Sequence, residues 1–98
     1  MSAYVVVEIE ILDSEIYETV KHLTPAIVAQ YGGKYLARGG ETEVLEGSWS
    51  PQRLVILEFE SAEQARAWWN SAEFAPVLQL RRQSARTNMV LTVGNPTA

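Results

Sequence analysis

The chain has no cysteine. That removes disulfides, thiolate nucleophiles and cysteine-ligated zinc or iron–sulfur centres together. Its one histidine, His22, excludes a His-pair metal site within a single chain. Basic residues are few: eight against twelve acidic ones, a net charge of −4, which disfavours nucleic acid because such binding rests on neutralising phosphates. Apolar runs reach only about four residues, as in Leu54-Val55-Ile56-Leu57, well short of the ~20 that span a bilayer. A basic leader is missing, and Glu8 and Glu10 interrupt the first apolar stretch, so the N-terminus reads as no signal peptide and the chain as cytoplasmic. The Gly39-Gly40 pair lacks a following helix or phosphate-loop lysine, and the serines lack a nearby histidine, so no phosphate cradle or Ser/His triad is readable. Repeats, linkers and low-complexity segments are missing too. No metal and no cofactor is called for by these residues.

What remains is a chain of 98 residues, 47% hydrophobic and 20% charged, read as one domain over residues 1–98. Tyr4 to Leu12 alternates at period two, with Val5, Val7, Ile9 and Ile11 on one face and Tyr4, Val6, Glu8 and Glu10 on the other, and predicts a strand. Asp13 is placed to cap a helix from Ser14 to about Tyr31, with Ile16, Val20, Leu23, Ile27 and Tyr31 as its apolar stripe. Pro25 lies inside that helix and deprives the Lys21 carbonyl of a donor, predicting a kink. Gly32 is the natural residue beyond its end. Lys34–Arg38 reads as a strand that Gly39-Gly40 bends and Glu43–Glu46 resumes. Gly47–Pro51 is a turn and Arg53–Glu60 the strongest strand. Ser61-Ala62-Glu63-Gln64 is a capping box for a helix through Trp68-Trp69. A short helix with Pro76 near its start runs to about Gln83, Thr87–Val93 is the last strand, and Asn95–Ala98 a tail.

The order is βαββαβ, an α+β, ferredoxin-like arrangement of one antiparallel sheet with helices on one face. The opposite face combines Tyr4, Val6, Leu54, Ile56 and Val90 with Glu8, Glu58, Asn88 and Thr92. It is too apolar for open water and too polar for a dry core. A second copy of the sheet would cover it, which points to a homodimer.

These residues resemble a widespread family of short bacterial domains of unknown function within the dimeric α/β-barrel superfamily. The resemblance rests on Tyr4, Tyr31-Gly32-Gly33, Leu36-Ala37-Arg38-Gly39-Gly40, Glu46-Gly47-Ser48-Trp49-Ser50-Pro51 with Arg53, Glu58-Phe59-Glu60-Ser61 and Trp68-Trp69-Asn70-Ser71. Lys34 departs from it where arginine is frequent, as does Trp69 where tyrosine is common. The resemblance implies two sheets closing into a barrel. The superfamily includes cofactor-free monooxygenases, lactone isomerases and haem-dependent enzymes, while this family has no established activity.

Three charged residues carry the functional question. If residues 36–47 and 52–59 pair as a hairpin, Glu46 lies almost opposite Arg53. Arg38, Glu46 and Arg53 then form either a cross-strand ion-pair group or a clamp for a substrate carboxylate with its arginines held by Glu46. Trp49, or one of Trp68 and Trp69, supplies an apolar wall. His22 is a helix-surface side chain, a general base, or a haem ligand of the kind some superfamily members use. Glu8 and Glu58 are either a carboxylate pair in the barrel or residues of its wet rim. The expected function is binding of a small polar or carboxylate metabolite in a cleft between sheet and helices. Cofactor-free, isomerase- or oxygenase-like chemistry is one reading of that cleft, and a non-catalytic ligand-binding or interaction module is the other.

Overall fold

A computed structural model describes residues 1–96; Thr97 and Ala98, the end of the expected tail, lie outside the described residues. The elements are β1 (Ala3–Ile11), α1 (Ser14–Gln30), β2 (Lys34–Arg38), β3 (Arg53–Phe59), α2 (Ala62–Trp69), α3 (Ala75–Ser84) and β4 (Ala85–Val93). The strands form one sheet in the order β2-β3-β1-β4, antiparallel throughout. This is the α+β, ferredoxin-like architecture that the alternation of strands and helices predicts.

Local signals set the helix ends. Asp13 Oδ1 accepts the Ile16 amide at 3.2 Å at the start of α1, a cap of the kind that contributes about 1 kcal/mol. At the other end the Gly32 amide donates to Ala29 and the Gly33 amide to Val28, with Gly32 at φ 78°. That is a Schellman closure, and it needs a left-handed residue at Gly32. Gly33 is needed for another reason: a Cβ there would stand 2.6 Å from the Phe59 ring and 2.7 Å from Val28. Ser61 Oγ accepts the Gln64 amide at 3.1 Å and caps α2. The Gln64 side chain returns to Ser61, its Oε1 accepting from Ser61 Oγ at 3.4 Å, while its Nε2 donates to the Tyr31 carbonyl at 3.5 Å and ties the start of α2 to the end of α1.

The core lies between the inner sheet face and the helices. Val5, Val7, Ile9, Val55, Leu57 and Phe59 meet Tyr17, Val20, Val28, Trp68, Phe74 and Val77 there. Trp68 stacks within 4.7 Å of Phe74 and 5.5 Å of Phe59. Truncating it to alanine is expected to cost about 3–5 kcal/mol.

Three expectations need correction. The buried face of α1 carries Tyr17, Val20 and Val28, while Leu23 is 45% exposed; the tyrosine ring reaches the core, so the burial stripe is turned away from Leu23. Residues 40–52 form no strand, so Glu43–Glu46 does not resume β2 and Glu46 has no partner across the sheet. The strand irregularity falls at Leu36 rather than at the glycine pair: Tyr35 pairs with Leu57, but Ala37 pairs with Ile56 and Arg38 with Val55.

Candidate ligand cavity between sheet and helices

The bulge at Leu36 decides where Arg38 goes. Because side chains alternate along a strand, one inserted residue moves everything beyond it to the other face. Without the bulge Arg38 would point away from the helices; with it, Arg38 pairs beside Val55 on the inner face. There Arg38 Nη2 donates to the Lys21 carbonyl at 2.7 Å, the carbonyl that Pro25 leaves without an amide donor. Its guanidinium also covers the Tyr35 ring, with Cζ 4.8 Å from the centroid.

Arg53 reaches the same space from β3, opposite Ile9 in the register. It passes directly under Gly39, whose missing side chain is what lets it through: a Cβ at Gly39 would collide with Arg53 Nη1. Gly39 also has φ 71°, so both its shape and its backbone exclude other residues. The Arg53 guanidinium lies 5.9 Å from the Tyr17 ring centroid.

Arg81 arrives from α3. It lies on that helix's buried side with Val77, Leu78 and Ser84, is 7% exposed, and sits 5.8 Å from the Trp69 ring centroid. Burial pushes its pKa down, with Tyr17 opposing that shift. Burial likewise raises the Tyr35 phenol, against the nearby Arg38 charge.

Arg38, Arg53, Arg81, Trp68, Tyr17 and Tyr35 line one cavity of about 50 Å³ between sheet and helices. On this measure a water needs roughly 10–15 Å³, so the space takes a few waters or one small polar group. Three buried side-chain donors have no acceptor among the described residues: Arg53 Nε, Trp68 Nε1 and Arg81 Nε. All three belong to residues lining this cavity. No carboxylate of the described residues forms an ion pair with Arg38, Arg53 or Arg81; the ion pairs present join Lys21 to Glu18, Lys34 to Glu58 and Arg86 to Glu10.

Of the residues singled out in the sequence, Arg38, Arg53 and Trp68 therefore come together, and Glu46 and Trp49 do not. Trp49 Nε1 donates to Glu8 Oε2 at 2.8 Å, and Asn88 Nδ2 donates to Glu8 Oε1 at 3.2 Å. Glu8 alternates with the buried Val7 and Ile9, so the sheet separates Trp49 from the arginines. Glu46 borders a different depression with Trp49, Pro51 and Leu54. Glu58 is on the outer face too, where Lys34 bonding first and Ser2 next hold its carboxyl below the usual range. His22 is exposed. Arg81 is not among the residues singled out, since a charged residue near a helix end is ordinarily solvated; its spacing of four from Val77 was the available signal. Tyr17, three residues before Val20, is also missing from the apolar stripe read for α1, although it is buried.

With this geometry established, comparison with known proteins places the chain. A family model described as a domain of unknown function, DUF1330, matches residues 2–95. The chain belongs to DUF1330. That family bears out the resemblance read from the sequence. No curated protein matches this DUF1330 domain. Among solved structures it is similar to a protein of unknown function, RPA0582, from Rhodopseudomonas palustris. There the TM-score is 0.78 at 12% identity, over 97% of this chain and 84% of that one. It is similar to SnoaB, a cofactor-independent oxygenase from Streptomyces nogalater, with TM-score 0.67 at 13% identity over 96% and 93% of the two chains. A protein of unknown function from Bacteroides thetaiotaomicron, described as a possible oxidoreductase, aligns with TM-score 0.60 at 18% identity over 92% and 94%. At these identities the likeness is one of fold.

Proposed function

We propose that this DUF1330 domain binds a small carboxylate or comparably flat anion in the cavity between sheet and helices, with Arg53, Arg81 and Trp68 as donors. The carrying observation is the set of three buried donors without an acceptor, all on residues that line one cavity. A buried donor left unpaired costs roughly 1–3 kcal/mol and a buried unpaired charge more. A group that only accepts would satisfy all three. Arg38 is a weaker candidate for direct contact, because one of its nitrogens is committed to Lys21.

The cavity lining contains no carboxylate and no imidazole; besides the arginines its titratable groups are Lys21, Tyr17 and Tyr35. The binding reading rests on the unpaired donors, while an isomerase- or oxygenase-like one rests on the fold shared with a cofactor-independent oxygenase. The working unit under this proposal is a homodimer joined through the outer sheet face, where Val90 is 61% exposed and Val6 pairs with both Ile56 and Val90.

Carboxylate titration monitored by thermal unfolding tests the reading. Ligand at about a hundred times its Kd should add about 2.7 kcal/mol, on the order of 10–20 °C in Tm for a domain of this size. Arg81→Met should lose that response while the free protein unfolds no earlier than wild type, since the charge it removes is buried with no ion pair among the described residues and an unpaired Nε. A variant that binds as well as wild type, or a wild type that responds to no carboxylate, overturns the proposal.

A further inference from the structure

A second hollow opens beside the inner cavity, along α2, α3 and β4, and it is far larger: about 570 Å³ against about 50 Å³. The two share Trp68, Arg81 and Met89. Arg81 therefore stands at the junction with its guanidinium beside Trp69, a residue that lines only the outer groove. The outer walls are of two kinds. Trp68, Trp69, Met89 and Leu91 supply apolar and aromatic surface, and Arg66 and Arg82 supply positive charge.

We infer that the ligand is an amphipathic acid: a carboxylate carried on an apolar body of one or two rings, its head at Arg53 and Arg81 and its body in the groove beside Trp69. This rests on the anion-binding reading above and narrows it. Size is the first reason. The inner cavity holds a carboxylate and nothing larger, whereas the outer groove falls in the roughly 300–1,000 Å³ range of small-molecule sites. Adjacency is the second: one buried cation, 7% exposed and with an unpaired Nε, borders both spaces, where it can hold the head of a ligand whose body lies in the groove. Charge complementarity is the third, since the exposed Arg66 and Arg82 at the groove draw in an anion. A short polar acid would leave Trp69, Met89 and Leu91 in water. A neutral apolar molecule would leave the inner donors unpaired.

The inference is tested by calorimetric titration of the full chain with acetate, benzoate, 2-naphthoate and the uncharged 2-naphthalenemethanol. The expected series rises with ring area, naphthoate binding on the order of tenfold or more tighter than acetate, and the alcohol binding weakest of the ringed compounds. Thr87→Trp, which fills the groove from a half-exposed strand position, should remove the gain from the rings and leave acetate binding unchanged. Acetate and naphthoate of equal affinity would overturn the amphipathic ligand while leaving the anion site standing. The alcohol binding as tightly as naphthoate would instead overturn the anion site. Naphthoate binding undiminished in Thr87→Trp would remove the groove as its seat, and no binding by any of the four would overturn both readings.

Discussion

Arg38 completes the helix that Pro25 interrupts. Proline cannot donate to the carbonyl four residues back, and the Arg38 guanidinium takes that place at Lys21, 2.7 Å away. Thr24 makes its own adjustment one residue earlier, donating Oγ1 to the Val20 carbonyl at 2.7 Å. The strand bulge at Leu36 and the helix proline are thus two parts of one fit, because only the bulge turns Arg38 toward the helix.

That relationship predicts a coupling. Arg38→Met should destabilise by about 1 kcal/mol, below the usual worth of a hydrogen bond to a charged group because this one is exposed. In a Pro25→Ala background the new alanine amide can donate to Lys21, so the same change should cost less, by about 1 kcal/mol. Urea unfolding of the four proteins measures the difference; strictly additive effects would show that the Arg38–Lys21 contact does not compensate for the proline.

Gly39 and Gly40 should behave in opposite ways. At Gly39 an alanine meets both a left-handed backbone and the Arg53 guanidinium, so Gly39→Ala should destabilise by about 1 kcal/mol or more and displace Arg53 from the cavity. At Gly40 nothing lies within 4 Å of an added Cβ. Gly40→Ala should be neutral, or stabilising by a few tenths of a kcal/mol through the unfolded chain. Equal Tm values for the two variants would mean that Gly39 is not the door through which Arg53 enters.

How much of this could be read in the chain follows from the range of each interaction. Asp13, Gly32 and Ser61 act on neighbours three or four residues away, and their roles as caps are legible without the fold. The face of β3 that carries Val55 and Leu57 also places Arg53 on the helix side. Arg38 was legible as charged and near a glycine bend, but its direction depends on one bulge residue that no local pattern announces. Glu46 opposite Arg53 was a consequence of continuing the hairpin through residues 40–52, which form a loop instead. Arg81 is the clearest loss: a charged residue on a helix is ordinarily solvated, and only the packing of α3 against α1 and the sheet reveals that this one is not.

The outer face makes a prediction about assembly. Tyr4, Val6, Leu54 and Ile56 are half-exposed in the single chain and Val90 more so. A second sheet laid over them would bury about 1,200–2,000 Å² in total. Sedimentation at micromolar concentration should give a dimer, and Ile56→Asp should give monomers or unfolded chain, because the new carboxylate would be buried without a partner. A monomeric wild type would end the proposal of a two-sheet barrel.

The Tyr31–Glu73 contact should give stability a dependence on both acid and base. Tyr31 Oη donates to Glu73 Oε2 at 2.8 Å, joining the end of α1 to the segment before α3. That bond is the leading cause holding the Glu73 carboxyl below its usual range and also the leading cause raising the Tyr31 phenol above its own. For Glu73 the folded value is the lower one. Its contribution is present above the unfolded pKa and lost as pH falls through the folded one. For Tyr31 the folded value is the higher one, so its contribution is present below the unfolded pKa and lost as pH rises through the folded one. The contact therefore stabilises across the middle of the pH scale and fades at both ends. Tyr31→Phe should lower stability at neutral pH, approach the wild-type value in strong acid and strong base, and bring the Glu73 carboxyl back up toward an ordinary glutamate in an NMR titration. A Glu73 titration identical in wild type and Tyr31→Phe would show that the bond is not formed in solution.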